Sequence, residues 1–146
     1  MTHPRTLESA PNQVRLPPAV RGQIEAWAAA AYPNEACGLL IGRAGATVAI
    51  EQARSAQNLD PSARDRYEID PEDHLAAEDE ARSLGLDVVG VWHSHPEHPA
   101  RPSETDRRRA WPGWSYVIVA VVKGRAVDLR SWRLEGERFR EEEVLG

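Results

Sequence analysis

The spacing of apolar residues near the start of the chain predicts a helix. They recur at intervals of four, three and four residues, which places on one helical face Val20, Ile24, Trp27 and Ala31. Pro17 and Pro18 fit the first turn of such a helix, because proline tolerates that position. Pro33 disfavours helix in the residue before it. We therefore expect a first helix over residues 16–32.

Short apolar and alternating runs predict strands in the rest of the chain. Residues 36–42 are almost wholly apolar, which is typical of a buried strand, and residues 47–51 alternate as its hairpin partner. Residues 87–92 form a second apolar run with the same interpretation. Residues 115–122 and 126–132 predict a final hairpin across a Lys-Gly turn.

Capping residues predict two further helices between these strands. Asp70 can cap a helix that runs to about Leu84, with Gly85 as its C-terminal stop. Ser103 can cap a shorter helix that ends by Pro112. Helices that alternate with strands in this order indicate an α/β or α+β fold, in which helices pack on a sheet.

The remaining segments are polar and show no periodicity. Residues 1–15 contain prolines and predict a loosely ordered lead-in to a single domain over residues 16–146. Residues 55–66 predict a loop, followed by a short strand at residues 67–69. The acidic tail from Glu135 is expected to lie at the periphery.

Composition narrows the classes of function. The net charge of −5 over 146 residues gives no reason to expect nucleic-acid binding. A single cysteine excludes an internal disulfide and an all-cysteine zinc site. No apolar run approaches the roughly 20 residues that a membrane helix needs, and the polar N-terminus is unlike a signal peptide. We therefore expect a cytoplasmic protein without a membrane partner, and the oligomeric state stays open.

A group of metal-binding residue types follows the second apolar strand. His93 and His95 are two residues apart, so on an extended backbone their side chains point to the same side. Asp106 lies three residues after Ser103, which places both on one face of the predicted short helix. If that helix begins near the strand end, Asp106 supplies a third ligand. Two histidines and a carboxylate are a ligand set for catalytic zinc, with water in the fourth position.

The zinc interpretation calls for a proton acceptor nearby. Bound zinc lowers the pKa of water from about 15.7 to about 7, which generates hydroxide at neutral pH. Glu35 immediately precedes the buried strand at residues 36–42, so its carboxylate can lie at the rim of the sheet as the general base. Spacing alone leaves open the alternative that the two histidines bind no metal.

Two stretches together resemble the JAMM (MPN+) metalloprotease family. The first is His-Ser-His-Pro, six further residues and Ser-x-x-Asp, over residues 93–106. The second is Glu-Ala-Cys-Gly-Leu-Leu-Ile-Gly, over residues 35–42. The resemblance extends over residues 16–132 and implies a curved mixed β-sheet flanked by helices, similar to the cytidine deaminase architecture.

The resemblance also implies a role for each motif residue. His93, His95 and Asp106 would bind one zinc ion, whose fourth ligand is water. Glu35 would be the general acid and base. Ser103 would stabilise the oxyanion of the tetrahedral intermediate during hydrolysis of an amide or isopeptide bond.

The substrate class follows from the same resemblance. Compact bacterial members are most similar to enzymes that process ubiquitin-like sulfur-carrier proteins, so we expect cleavage after the C-terminal tail of such a carrier or release of its cysteine adduct. An extended tail could bind beside an exposed sheet edge. One alternative is a broader isopeptidase that removes a ubiquitin-like modifier from lysine. Another is a non-catalytic scaffold of the same fold.

Several residues allow a structural and a functional interpretation. Cys37 is expected to be a buried strand residue rather than a thiol nucleophile. Ser103 caps its helix whether or not it is catalytic. His98 is expected to face solvent rather than a metal. The arginines at 107–109 could bind an acidic partner or form a solvated helix face, and residues 55–66 could contact substrate or only connect elements.

Overall fold

The structure is a computed structural model that describes residues 12–146. Within that range, seven strands and three helices follow one another in this order: β1 (Gln13–Arg15), α1 (Pro18–Ala31), β2 (Cys37–Arg43), β3 (Thr47–Ala56), α2 (Pro71–Ser83), β4 (Asp87–Pro96), α3 (Glu104–Arg109), β5 (Ser115–Val122), β6 (Arg125–Glu135) and β7 (Arg138–Leu145).

The strands form one mixed sheet that closes into a barrel in the order β1-β3-β2-β4-β5-β6-β7. The pairing of β4 with β5 is parallel, and β1 is parallel to both of its neighbours, β3 and β7. The other neighbouring strands pair antiparallel. The predicted curved mixed sheet with flanking helices is therefore confirmed. The closure of this sheet into a barrel through β1 was not predicted.

Helices pack against the sheet through two separate apolar clusters. Helix α1 contributes Ile24 and Ala28 to the larger cluster, which includes Leu40 of β2. Helix α2 contributes to the second cluster, which includes Leu39 and Ile41 of the same strand. Because successive side chains of a strand point to opposite faces, β2 is covered on both faces. This explains why its sequence is an unbroken apolar run rather than an alternating one.

Gly38 lies where three elements meet in the core. A side chain at this position would collide with the carbonyl oxygen of Arg54 and with the indole of Trp92. That indole donates a hydrogen bond to the same Arg54 oxygen at 3.0 Å and stacks on Trp27 with ring centroids 5.6 Å apart. Glycine is therefore required for β2 to approach its neighbours this closely.

Two expectations about the chain ends differ from the structure. Residues 1–11 lie outside the described range, but Gln13–Arg15 of the expected lead-in form strand β1, because fully buried Val14 pairs between β3 and β7. The tail from Glu135 was expected at the periphery, yet it contains β7. There Glu142 is only 2% exposed and pairs with buried Arg133. Because the ion pair with Arg133 compensates its charge, Glu142 can be buried, although the acidic composition of the tail predicts exposure.

Three boundaries also differ from the sequence-based expectation. Strand β3 continues to Ala56 instead of ending near Glu51. The expected strand at residues 67–69 is reduced to an isolated bridge between Asn58 and Ile69. Strand β4 does not end at Trp92 but includes residues 93–96, because β2 pairs with its His93 and β5 pairs with the whole segment.

None of the helices described between residues 12 and 146 is long and apolar enough to cross a membrane. The cytoplasmic location stays a prediction.

Candidate active site

The two histidines are fixed by the ladder of strand β4. His93 pairs with Cys37 of β2 on one side and with Ile118 of β5 on the other. His95 pairs with Ala120 of β5. As the two-residue spacing predicts, both rings point to the same side, and their Nε2 atoms lie 3.2 Å apart. Both rings are buried, so their positions follow from the strand register rather than from a mobile loop.

Helix α3 brings a carboxylate to the same point. Its N-cap Ser103 accepts a hydrogen bond from the backbone N–H of Asp106 through Oγ, at 3.0 Å. In return, Oδ2 of Asp106 accepts from the backbone N–H of Ser103 at 2.9 Å. These two reciprocal hydrogen bonds form a capping box, which holds the Asp106 carboxylate at the start of α3. The same Oδ2 lies 3.2 Å from Nε2 of His93 and 3.1 Å from Nε2 of His95.

The three converging atoms fit a tetrahedral metal ion. They are separated by 3.1–3.2 Å. Tetrahedral zinc with bonds of about 2.0–2.1 Å sets its ligand atoms about 3.3–3.4 Å apart. Nδ1 of His95 lies 2.8 Å from the carbonyl oxygen of Pro99, and donation to that oxygen leaves Nε2 with its lone pair. The residues present therefore suit a metal in number, type and spacing.

Glu35 lies beside the histidines at the entrance to β2. One side-chain oxygen of Glu35 and one ring nitrogen of each histidine all lie within 4.8 Å of one another, so this group could also hold a metal ion. The Glu35 side chain is buried, and no residue in the described range gives its Oε1 a hydrogen bond. Burial raises the pKa of Glu35 to about 8. The carboxyl group can therefore hold a proton near neutral pH.

The electrostatics of His93 and Asp106 favour the protonation states that bind metal. Burial lowers the pKa of the His93 imidazole, even though Asp106 opposes this effect. Burial alone would raise the pKa of Asp106, but contacts with His93 and His95 hold it well below its usual range. For His95 the hydrogen bonds to Asp106 and Pro99 outweigh burial and raise the pKa. Neutral His93 and ionised Asp106 are the protonation states that metal ligands require.

A cavity of about 340 Å³ opens onto this cluster. It is lined by Glu35, Asp65, His95, His98, Pro99, Arg101 and Ser103. His98 is exposed, as expected, and lies at the mouth of the cavity. Three of the five predicted site residues, Glu35, His95 and Ser103, thus line this cavity, and the role of each stays a prediction.

Residues 17–135 match the family described as prokaryotic homologs of the JAB domain. The chain belongs to this family. The match spans most of the chain and includes every residue of the cluster.

Named relatives of this JAB domain include proteases. A desampylase of Haloferax volcanii is 40% identical over 110 residues, which cover 75% of this chain and 76% of that protein. A probable TtuB-protein conjugate cleaving protease of Thermus thermophilus is 35% identical over 94 residues, which cover 64% of this chain and 61% of that protein. The predicted family and the prediction that the protein is a JAMM-type hydrolase are therefore confirmed.

Solved structures support the same fold. A protein of Desulfitobacterium hafniense superimposes with a TM-score of 0.80 at 35% identity, over 91% of this chain and 92% of that chain. A JAB1/MPN domain protein of Archaeoglobus fulgidus superimposes with a TM-score of 0.51 at 21% identity, over 94% of this chain and 99% of that chain. The second likeness concerns the fold alone.

Two residues of the JAB domain site were missed by the sequence analysis. Tyr67 stacks on His93 with ring centroids 4.4 Å apart and covers one face of the imidazole. Asn58 binds the backbone of Glu35 through its side-chain amide, at 3.1 Å. Asparagine in a polar, turn-rich segment with a nearby proline is typical of a residue that bonds local backbone, so this signal could have indicated Asn58.

The structure shows the surroundings of Cys37 and of the arginines at 107–109, for which the sequence allowed two interpretations. Burial raises the pKa of the Cys37 thiol to about 12, so it stays protonated, as a structural cysteine does. Arg107 pairs with Glu104 of its own helix. Arg109 donates a hydrogen bond to the carbonyl oxygen of Tyr67 at 2.7 Å. Two of the three arginines therefore have contacts within the protein.

Proposed function

We propose that this protein is a zinc-dependent peptidase that hydrolyses the amide or isopeptide bond after the C-terminal tail of a ubiquitin-like protein. The substrate class that we propose is a sulfur-carrier protein or its cysteine adduct. The observation that carries the proposal is the convergence of three ligand atoms within 3.2 Å of one another, beside a buried glutamate.

The ligand assignment follows from the donor set. Nε2 of His93, Nε2 of His95 and Oδ2 of Asp106 would hold the ion. Zinc in such a site acidifies a water molecule and polarises a carbonyl group. Histidine nitrogen and carboxylate oxygen are both ligands that zinc accepts, whereas Mg²⁺ and Ca²⁺ prefer sites made only of oxygen.

Glu35 and Ser103 would handle the proton and the developing charge. The Oε1 atom of Glu35 can accept a proton from the attacking water, and the carboxyl can return it to the leaving nitrogen. Oγ of Ser103 already accepts a hydrogen bond from Asp106, so its own hydrogen is free to donate to the oxyanion. Ser103 can therefore cap α3 and stabilise the intermediate with the same hydroxyl group.

The names of two relatives support the substrate class. One is a desampylase, and the other is named for cleavage of TtuB-protein conjugates. The second name favours a particular alternative, in which the protein removes a ubiquitin-like modifier from another protein. Both alternatives place an extended peptide across the cavity at Glu35 and Ser103.

The experiment compares two conjugates of one ubiquitin-fold carrier protein. In the first, the carrier's C-terminal carboxyl group is joined to free cysteine. In the second, it is joined to a lysine side chain of a peptide. Mass spectrometry before and after incubation measures release of the carrier, with the metal content determined in parallel. Cleavage of the cysteine adduct at least tenfold faster supports the sulfur-carrier proposal, and the opposite preference supports the isopeptidase.

Matched variants assign the activity to the site. Glu35→Gln is expected to keep zinc and lose turnover. Glu137→Gln replaces an exposed glutamate in the turn between β6 and β7 and is expected to retain both. A wild-type protein that binds zinc but cleaves neither conjugate would contradict the proposed substrate class. A protein that cannot be loaded with zinc would instead agree with a scaffold.

A further inference from the structure

The Glu35 carboxyl is held in place mainly from its backbone. No residue in the described part of the chain gives its Oε1 a hydrogen bond. Its backbone N–H donates to the carbonyl oxygen of Ala63 at 2.6 Å. Its backbone carbonyl accepts from the side-chain amide of Asn58 at 3.1 Å. Both bonds lead to one segment, residues 57–69, which we name the Asn58 loop.

Asn58 also organises this loop. Its amide group donates a second hydrogen bond, to the carbonyl oxygen of Arg66 at 3.0 Å. Its Oδ1 accepts from the backbone N–H groups of Asp60 and Glu68, both at 3.0 Å. One side chain thus joins both ends of the loop to Glu35, which lies two residues before β2. An amide is required, because the four bonds need two donor hydrogens and an acceptor oxygen.

The loop is also tied to helix α3, which carries Asp106. Arg109 of that helix donates to the carbonyl oxygen of Tyr67 at 2.7 Å, and its guanidinium lies 3.7 Å from the buried Asp60. The Asn58 loop therefore connects the backbone of Glu35 with the helix that supplies a predicted ligand. Asp60 takes part in the tie to α3 and forms no hydrogen bond with Glu35 within residues 12–146, so it serves as a control.

We propose that Asn58 is a positioning residue that sets the place of the Glu35 carboxyl relative to His93 and His95. The inference rests on the proposed function, in which Glu35 moves the proton. A misplacement of about 1 Å can reduce a catalysed rate by about 100-fold. Asn58 acts through the main chain of Glu35, so it affects the proton transfer step more than substrate binding or metal binding.

The test uses Asn58→Asp, which keeps the shape and the acceptor oxygen but removes the two donor hydrogens. We expect kcat to fall at least tenfold, with KM and zinc content within twofold of the wild type. In a Glu35→Gln background the same substitution should not lower the residual cleavage rate further, because the effects of residues that act as a unit are not additive. Asp60→Asn removes the ion pair with Arg109 and should leave kcat within twofold.

A kcat for Asn58→Asp within twofold of the wild type would overturn the proposal. An equal further loss in the Glu35→Gln background would also overturn it, because Asn58 would then act independently of Glu35. If Asn58→Asp does not fold, Asn58→Ser serves instead, since its hydroxyl is too short to reach the Glu35 carbonyl. For Asn58→Ser we expect the same changes in kcat, KM and zinc content as for Asn58→Asp.

A second measurement does not depend on activity. Hydrogen exchange of the Glu35 amide, followed in metal-free protein, should be at least tenfold faster in Asn58→Asp, while the amides of His93 and Ser94 in β4 are unchanged. Unchanged exchange at Glu35 would contradict the proposal. If the wild type cleaves neither conjugate, the proposed function fails, and the exchange result still decides whether Asn58 holds Glu35.

Discussion

Replacement of Glu35 by glutamine is expected to stabilise the metal-free protein in a pH-dependent way. The Glu35 residue is only 6% exposed, and within residues 12–146 its Oε1 finds no hydrogen-bond donor. Burial is the main cause that raises its pKa from 4.5 to about 8. Glutamine has almost the same shape without the charge, so the variant avoids the cost of ionising a buried group.

The sign and size of the effect follow from the two pKa values. The unfolded chain loses this proton near pH 4.5, whereas the folded protein keeps it to about pH 8. Between these values the folded state holds one more proton, so its stability falls by about 1.4 kcal/mol for each unit of rising pH. At pH 7 the cost is about 3 kcal/mol. In a domain of this size, that corresponds to a shift in Tm of about 6–12 °C.

Thermal unfolding in the presence of a chelator, from pH 4 to pH 8, measures this difference. The Tm of Glu35→Gln should equal that of the wild type near pH 4 and exceed it increasingly toward pH 8. Glu137→Gln, an exposed control, should follow the wild type throughout. Added zinc should reduce the gain, because a nearby cation favours the ionised carboxylate. A Glu35→Gln protein no more stable than the wild type at pH 7 would refute the reasoning.

Three further substitutions test other parts of the structure. Asp106→Ala should lower zinc affinity at least about tenfold and abolish cleavage, measured by metal analysis and the conjugate assay; full zinc occupancy would contradict the ligand role. Cys37→Ser should cost about 1–3 kcal/mol in unfolding free energy, because it buries a hydroxyl, with cleavage preserved; an inactive but stably folded variant would reinstate the thiol nucleophile. Glu142→Ala leaves the buried Arg133 guanidinium without its carboxylate and should cost about 3–5 kcal/mol in denaturant unfolding; a loss below about 1 kcal/mol would show that the pair is dispensable.

Local signals made the helices and the grouping of the proposed metal ligands predictable. Proline at the start of α1 and the Asp70 cap of α2 act within one helical turn, so the sequence carries them directly. The two-residue spacing of His93 and His95 fixes their common direction once the backbone is extended. The Ser103 and Asp106 pair forms a capping box, which is also a local motif. Each of these predictions needs only neighbours in sequence.

The features that were missed depend on distant partners. The end of β4 looks like a loop, because it contains histidines and a proline, and only pairing with β2 and β5 makes it a strand. Glu142 looks exposed until Arg133 and two buried serines surround it. The turn signal around Asn58 is local, but its bond to the backbone of Glu35, 23 positions away, is indicated by no pattern of residue types.

The barrel seam has a consequence for the order in which the chain can assemble during synthesis. Strand β1 must meet residues 143–145 of β7, which are about 130 positions later in the sequence. The ladder that carries the histidines requires only β2, β4 and β5, so it is complete once residue 122 has left the ribosome. Contacts that are distant in sequence form slowly, since a long loop must first close. The imidazole pair can therefore be in place while the other side of the barrel is still open.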